Sequence, residues 1–219
     1  MHIVSYFKGR HKSLLALDPI HPTIDHKNIN DNDWAVFYGD VKEVIPPNSP
    51  TPLGKSVDLR MMVDGNPARE NLTRQSHTKF LIFCNMVLIN WLSKMHRTME
   101  ITMFGAEFVA MKHGVETLHG IWYKLSIISV PIKCPRYIYG DNMYVIYNTL
   151  RPESMLRKRS KTICYPFVRE SVVEKELLTS HIPTLKNLSE LFNKLMYGQK
   201  YQTLVKGLLC DIYDHDLDD

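Results

Sequence analysis

Apolar positions are spread unevenly along the chain. Over residues 1–56, Pro19, Pro22, Pro46, Pro47, Pro50 and Pro52 punctuate a polar stretch whose one compact apolar patch is Trp34-Ala-Val-Phe-Tyr38. Proline removes a backbone donor and restricts the residue before it, so this segment reads as an irregular connector with one short helix near Ile3–Leu17. From Val57 the pattern tightens. Val57-Asp-Leu-Arg-Met-Met-Val-Asp64 is short and imperfectly alternating, which predicts a strand ending near Asp64. Lys79–Val87 and Leu88–Lys94, rich in Phe, Ile, Val, Leu and Trp, predict two further strands joined around Asn85–Val87. Phe104, Phe108, Met111, Val115, Leu118, Trp122 and Leu125 then recur at alternating spacings of 4 and 3, the stripe of a long helix closed by Pro131 and Pro135. Tyr137-Ile-Tyr139 predicts a strand halting at Gly140-Asp-Asn142, followed by a short helix through Val145 and Ile146. Further along come a helix around Phe167–Glu176, a strand at Leu177–Ile182 and a final helix at Leu188–Met196.

The resulting order, β-β-β-α-β-α-…-β-α, predicts an α/β domain over residues 57–196: a mixed sheet flanked by helices. Residues 197–219 read as a tail whose acidic end, Asp211 to Asp219, frays. Composition narrows the class without changing this picture. At 44% hydrophobic and 23% charged, the 219 residues exclude a disordered, collagen-like or low-complexity chain. Cys84, Cys134, Cys164 and Cys210 are scattered, with no C-x-x-C, which argues against a disulfide scaffold, a disulfide-linked partner and a structural zinc site. The longest apolar run, Phe80–Leu92, is broken by Asn85 and Asn90 and falls short of the roughly 20 residues of a spanning helix. Lys and Arg precede any signal-peptide core near Met1, so an intracellular chain, cytoplasmic or nuclear, without membrane association is expected. In that setting the sequons at Asn71 and Asn187 carry no meaning.

The informative chemistry lies in acids at the ends and rims of apolar elements. Asp64 closes the first strand and Asp141 follows Tyr137-Ile-Tyr139 at a Gly turn. Glu107 falls about 20° from Leu118 around the long helix, on the rim of its buried face. Glu190 opens the last expected helix, where the helix dipole favours negative charge. Acids drawn to one point repel each other unless a cation neutralises them. Hard oxygen ligands suit Mg2+ or Mn2+, and two such ions about 3.5–4 Å apart can clamp the oxygens of a phosphodiester under cleavage.

Five segments occur here in a distinctive order: Val57-Asp-Leu-Arg-Met-Met-Val-Asp64, Thr102-Met-Phe-Gly-Ala-Glu107, Tyr137-Ile-Tyr-Gly-Asp141-Asn-Met143, Tyr165-Pro-Phe-Val-Arg-Glu170 and His181-Ile-Pro-Thr184. Together they resemble the ribonuclease H region that closes the Pol polyprotein of copia-type retrotransposons, from about residue 57 to 196. Leu14–Pro52 resembles the segment joining polymerase to ribonuclease H. The resemblance implies a ribonuclease H-like fold that uses acids and divalent metal, Mg2+ or Mn2+, to cut the RNA strand of an RNA–DNA hybrid. It implies Asp64, Glu107 and Asp141 as the principal catalytic and metal-binding residues. Glu190 would be the auxiliary one, standing where the family usually has the Asp of A-D-L-x-T-K.

Departures from the family pattern bear on activity. The family commonly reads D-x-D-x-A-G-D after the first acid, whereas this chain has Asp64-Gly-Asn66-Pro67-Ala-Arg69-Glu70. Tyr-His-Phe of related sequences is Tyr165-Pro166-Phe167, and Glu190 is one methylene longer than Asp. These changes, with the absence of a polymerase domain, predict a degenerate fragment whose cutting is weak or lost. The alternatives are a non-catalytic nucleic-acid-binding remnant and a product with no role.

Other signals are secondary. Arg157, Lys158, Arg159 and Lys161 form the best candidate for gripping a nucleic-acid backbone through phosphate contacts, beside the plainer reading of a solvated basic turn. The net charge of +4 tolerates such a partner without demonstrating one. His181, at the end of the last expected strand, is a possible auxiliary group beside the acids. His113 and His119 are six apart on the long helix and point different ways, and His11, His21 and His26 match no metal spacing. G-x-S-x-G, H-E-x-x-H, P-loop and dinucleotide fingerprints do not occur.

Overall fold

The computed structural model describes residues 47–66, 76–95, 102–151, 164–192, 199–206 and 208–211, with 13–15 and a few isolated positions before residue 47. The basic run Arg157–Lys161, the departures at Pro67, Arg69 and Glu70, most of the connector and the acidic end beyond Asp211 lie outside these residues.

The organising strand is β2 (Leu59–Asn66), buried along nearly its whole length. Its imperfect alternation in sequence has a simple cause: both faces of the strand are covered, so successive residues are apolar regardless of the face they take. Leu59, Met61 and Val63 enter the main core, and Met62 enters a second cluster on the opposite face. With β3 (His77–Cys84) and β4 (Val87–Met95) it forms an antiparallel meander, the β3–β4 turn made at Asn85 with φ of 54°. On its other edge β2 pairs in parallel with β5 (Arg136–Gly140), which pairs in parallel with β6 (Leu177–His181). The sheet order is β4-β3-β2-β5-β6, the mixed sheet flanked by helices that the sequence predicts.

Helix α1 (Met103–Ile127) carries the expected stripe. Phe108, Met111, Val115 and Leu118 are fully buried, and Phe104, Trp122 and Leu125 pack at the margin of the same core. Thr102 caps the helix, its hydroxyl accepting from the Gly105 amide at 3.1 Å. The helix ends before Pro131, where Ser129 takes a φ of 66° and the Ser129 and Val130 amides bond back to Ser126 and Leu125 carbonyls. Helices α2 (Met143–Leu150) and α3 (Cys164–Val173) complete this layer. Helix α3 stops three residues short of the expected Glu176 because Lys175, with φ of 56°, closes it by the same αL device.

Four elements differ from expectation. Of the final helix expected at Leu188–Met196, the described part, Leu188–Phe192, is a 3-10 turn laid across the second face of the sheet with Leu188 and Phe192 against Met62, Leu81 and Phe83; residues 193–196 lie outside the described residues. The tail holds a helix, α4 (Gln199–Lys206), and a strand, β7 (Leu209–Asp211). Most of the span where a helix is expected, Ile3–Leu17, lies outside the described residues, and within it Ser13–Leu15 is a strand, β1, antiparallel to β7. Three-residue strands carry too little periodicity to be read locally; each is defined by the other, across most of the chain.

Gly65 sets how closely the sheet meets α1. A Cβ there would stand 2.6 Å from the Ala106 carbonyl oxygen and 2.6 Å from Glu107 Cα, both backbone atoms that cannot step aside alone. Gly65→Ala should therefore cost about 1–3 kcal/mol, measured by urea unfolding, by forcing the first turn of α1 off β2.

Candidate metal centre

The carboxylates sit where strands stop. By the two-residue period of β2, Asp64 faces the side of Met62, the face crossed by the 3-10 segment. Asp141 follows the last residue of β5, and the parallel β2–β5 register, with Val63 opposite Gly140, brings these two strand ends together. Glu190 arrives from the 3-10 turn. One carboxylate oxygen from each of Asp64, Asp141 and Glu190 lies within 4.8 Å of the others. Glu107 comes from the opposite face of the sheet and is not part of that triad. It lines an adjoining pocket together with Asp64, Gly65, Gly140 and Asn142. Asp64, Asp141 and Glu190 thus converge most tightly, and Glu107, the remaining acid named from the resemblance, lines the pocket beside them.

Two asparagines absent from the sequence reading of the site hold this arrangement. Asn142 caps α2, its Oδ1 accepting from the Tyr144 amide at 2.9 Å, while its Nδ2 donates to Glu107 Oε1 at 3.1 Å. One side chain thereby starts a helix and orients an acid from another. Asn187 is fully buried; its Nδ2 donates to the Val63 carbonyl at 3.1 Å, and its Oδ1 accepts from the Ser189 amide and hydroxyl at 3.2 and 2.6 Å. That bond straps the 3-10 turn to β2 next to Asp64, which is why Glu190 reaches the centre from a turn instead of a longer helix. In sequence, Asn187 is visible only as part of a sequon.

Burial dominates the electrostatics. Asp64 is held above the usual carboxylate range chiefly by desolvation and further by the Asp141 charge, against the opposing pull of Lys79. Asp141 is raised by burial and by Glu190, opposed by a hydrogen bond from Thr184 Oγ1 at 3.1 Å and by His181. His181 ends β6 opposite Gly140, the residue before Asp141. Glu107 is pushed up to about 8, first by burial, with the charges of Asp141 and Asp64 adding and the Asn142 hydrogen bond opposing. Lys79, fully buried, places its Nζ 3.0 Å from Asp64 Oδ2. Sequence reasoning passed over Lys79 as the first residue of an apolar run. Its signal is a lone lysine in a strand buried on both faces, which requires an anionic partner.

The donor set suits a divalent cation. All the converging atoms are hard carboxylate oxygens lying within 4.8 Å of one another, the donor type that magnesium and manganese prefer.

No family model matches the chain. Over 152 residues, 68% of its length, it is 25% identical to the Retrovirus-related Pol polyprotein from transposon TNT 1-94 of Nicotiana tabacum, and it spans 11% of that relative. Among solved structures it is similar to a ribonuclease H1 isolated from compost (15% identity, 69% of this chain and 92% of that one, TM-score 0.45). It is also similar to the N-terminal RNase H domain of a Mycobacterium tuberculosis protein (8% identity, 69% and 98%, TM-score 0.48). The compost enzyme has been solved in complex with RNA/DNA hybrid (15% identity, 59% and 88%, TM-score 0.45). The chain is thus a five-stranded mixed sheet flanked by helices whose sequence is similar to part of a retrotransposon Pol polyprotein. No helix among the described residues is long and apolar enough to cross a membrane.

Two outcomes follow from this geometry. A Glu107 that keeps its proton to about 8 when folded but releases it near 4.5 when unfolded stabilises the metal-free protein at low pH, and loses that contribution as pH rises through 8. Glu107→Gln, which keeps the acceptor for Asn142, should flatten this fall and stabilise the metal-free protein above pH 8 by about 2–4 kcal/mol, read from unfolding curves across pH. Asn187→Ala should cost about 1–3 kcal/mol, measured by thermal unfolding, because it strands the Val63 carbonyl.

Proposed function

We propose that this chain is a copia-type ribonuclease H-like domain over residues 57–196, whose chemistry is the divalent-metal-dependent cleavage of RNA in an RNA–DNA hybrid, carried out slowly. The observation that supports this most is the convergence of Asp64, Asp141 and Glu190 oxygens at adjoining strand ends. In this reading Asp64, Asp141 and Glu190 hold Mg2+ or Mn2+, with Glu107 at the neighbouring edge. Bound ions would stabilise the charge that develops on the phosphate during phosphodiester hydrolysis.

The chain's own residues have distinct tasks. Asn142 keeps Glu107 turned into the pocket, and Asn187 keeps Glu190 beside Asp64. Lys79 fixes the direction of one Asp64 oxygen. His181, next to Asp141, is the group suited to moving a proton at the rim of the site. Arg157, Lys158, Arg159 and Lys161 grip the hybrid backbone without reading its sequence.

Slow cutting is supported by Lys79, an ammonium on a metal-binding carboxylate, and by Asn66, where the family pattern has an acid. The same ion pair favours a second reading, a non-catalytic hybrid binder. Purified protein incubated with a labelled RNA–DNA hybrid and Mg2+ or Mn2+ separates the two. Asp64→Asn or Glu107→Gln should lower metal-dependent cutting by about a hundredfold or more, while leaving salt-sensitive hybrid binding intact. Cutting that survives both substitutions removes the acids from the reaction. Salt-sensitive binding with no cutting under any metal establishes the second reading.

A further inference from the structure

The acidic cluster contains a cation of its own. Asp64 and Lys79 are direct partners in the β2–β3 ladder, so their contact is set by backbone register and does not depend on a surface side chain finding an acid. Lys79 has no exposed surface, and its neighbours on the same face of β3, Leu81 and Phe83, are equally enclosed. A buried ammonium must keep an anionic partner, because an unpaired charge in such surroundings is strongly destabilising. Lys200 Nζ stands 3.8 Å from Glu190 Oε2. Two of the three converging carboxylates therefore each have an ammonium within ion-pair distance.

We propose that Lys79 is a resident counter-ion of this centre: its ammonium supplies at Asp64 the positive charge a divalent cation would bring, holding the carboxylates together without metal and weakening metal uptake. This inference rests on the reading of the cluster as a metal centre. A divalent cation approaching Asp64 meets a positive charge already 3.0 Å from one ligand oxygen, in a setting where charges act strongly on one another. Lys79 cannot retreat to solvent, since its whole side chain is enclosed. Metal and ammonium thus compete for the same carboxylate.

The test is a titration of the purified full chain with Mn2+ alone, following free Mn2+ by electron paramagnetic resonance and thermal unfolding in parallel. Wild-type protein should bind only in the millimolar range. Lys79→Met should bind at least about tenfold tighter and gain more thermal stability from saturating Mn2+ than wild type does. A Lys79→Met chain that folds only in the presence of Mn2+ supports the same conclusion, because the ion then takes over the charge of the ammonium. Unchanged or weaker binding by Lys79→Met, micromolar binding by wild type, or a Lys79→Met chain that stays unfolded at saturating Mn2+ each overturns it. Hybrid cleavage measured on the same preparations keeps the two proposals apart. Tighter Mn2+ binding by Lys79→Met with no cutting by either protein leaves the counter-ion standing and removes the nuclease reading. Cutting by wild type alongside unchanged affinity in Lys79→Met does the reverse.

Discussion

Carboxylates that meet inside a protein raise one another's energy, and burial raises it further, so their meeting has to be compensated. In this chain three answers operate together. Glu107 escapes the conflict by holding its proton to about pH 8. Asp141 draws on a hydrogen bond from Thr184 and the proximity of His181. Asp64 is balanced by the buried ammonium of Lys79. The remainder of the site is arranged around these compensations.

The sheet delivers the acids because parallel strands end together. Asp64 near the end of β2 and Asp141 just past β5 are neighbours by register, and the loop after β6 carries Glu190 across to them. Glu107 approaches from the helical layer, and its distance from the sheet depends on the missing side chain at Gly65. At the other end of β5 a second buried cation, Arg136, is balanced differently. Its guanidinium pairs with Glu176 at 2.9 Å and lies over Trp122. That pair joins β5 to the segment entering β6, away from the acids, and serves the packing of the sheet. Lys79 differs in touching a carboxylate of the site itself.

Much of the fold was legible in the sequence, for a physical reason. The stripe from Phe104 to Leu125 reports a helix with one buried face, and the apolar runs at Lys79–Val87 and Leu88–Lys94 report the two strands His77–Cys84 and Val87–Met95 around a tight turn. Each element's own side chains reveal its period. The apolar residues of Leu188–Phe192 fit a helix or a 3-10 turn equally in sequence, and the Asn187 strap to Val63 joins the turn to β2 from a residue that no local pattern links to it. The β1–β7 ladder leaves no trace in the sequence because neither strand is long enough to show alternation. The four acids stood out as acids at element ends, and the structure gathers three of them into one cluster with the fourth beside it.

What local sequence determined, then, is which residues are strands, which are helices, and that acids lie at their termini. These follow from hydrophobic period and from turn and cap chemistry, each contained within a few consecutive residues. What the tertiary structure alone decided is the company those acids keep. The pairing of Asp64 with Lys79, the hold of Asn142 on Glu107 and the tie from Asn187 to β2 join residues 15, 35 and 124 positions apart. Such partnerships depend on strand register and layer packing, which no single segment encodes, and they determine how strongly the site needs a cation.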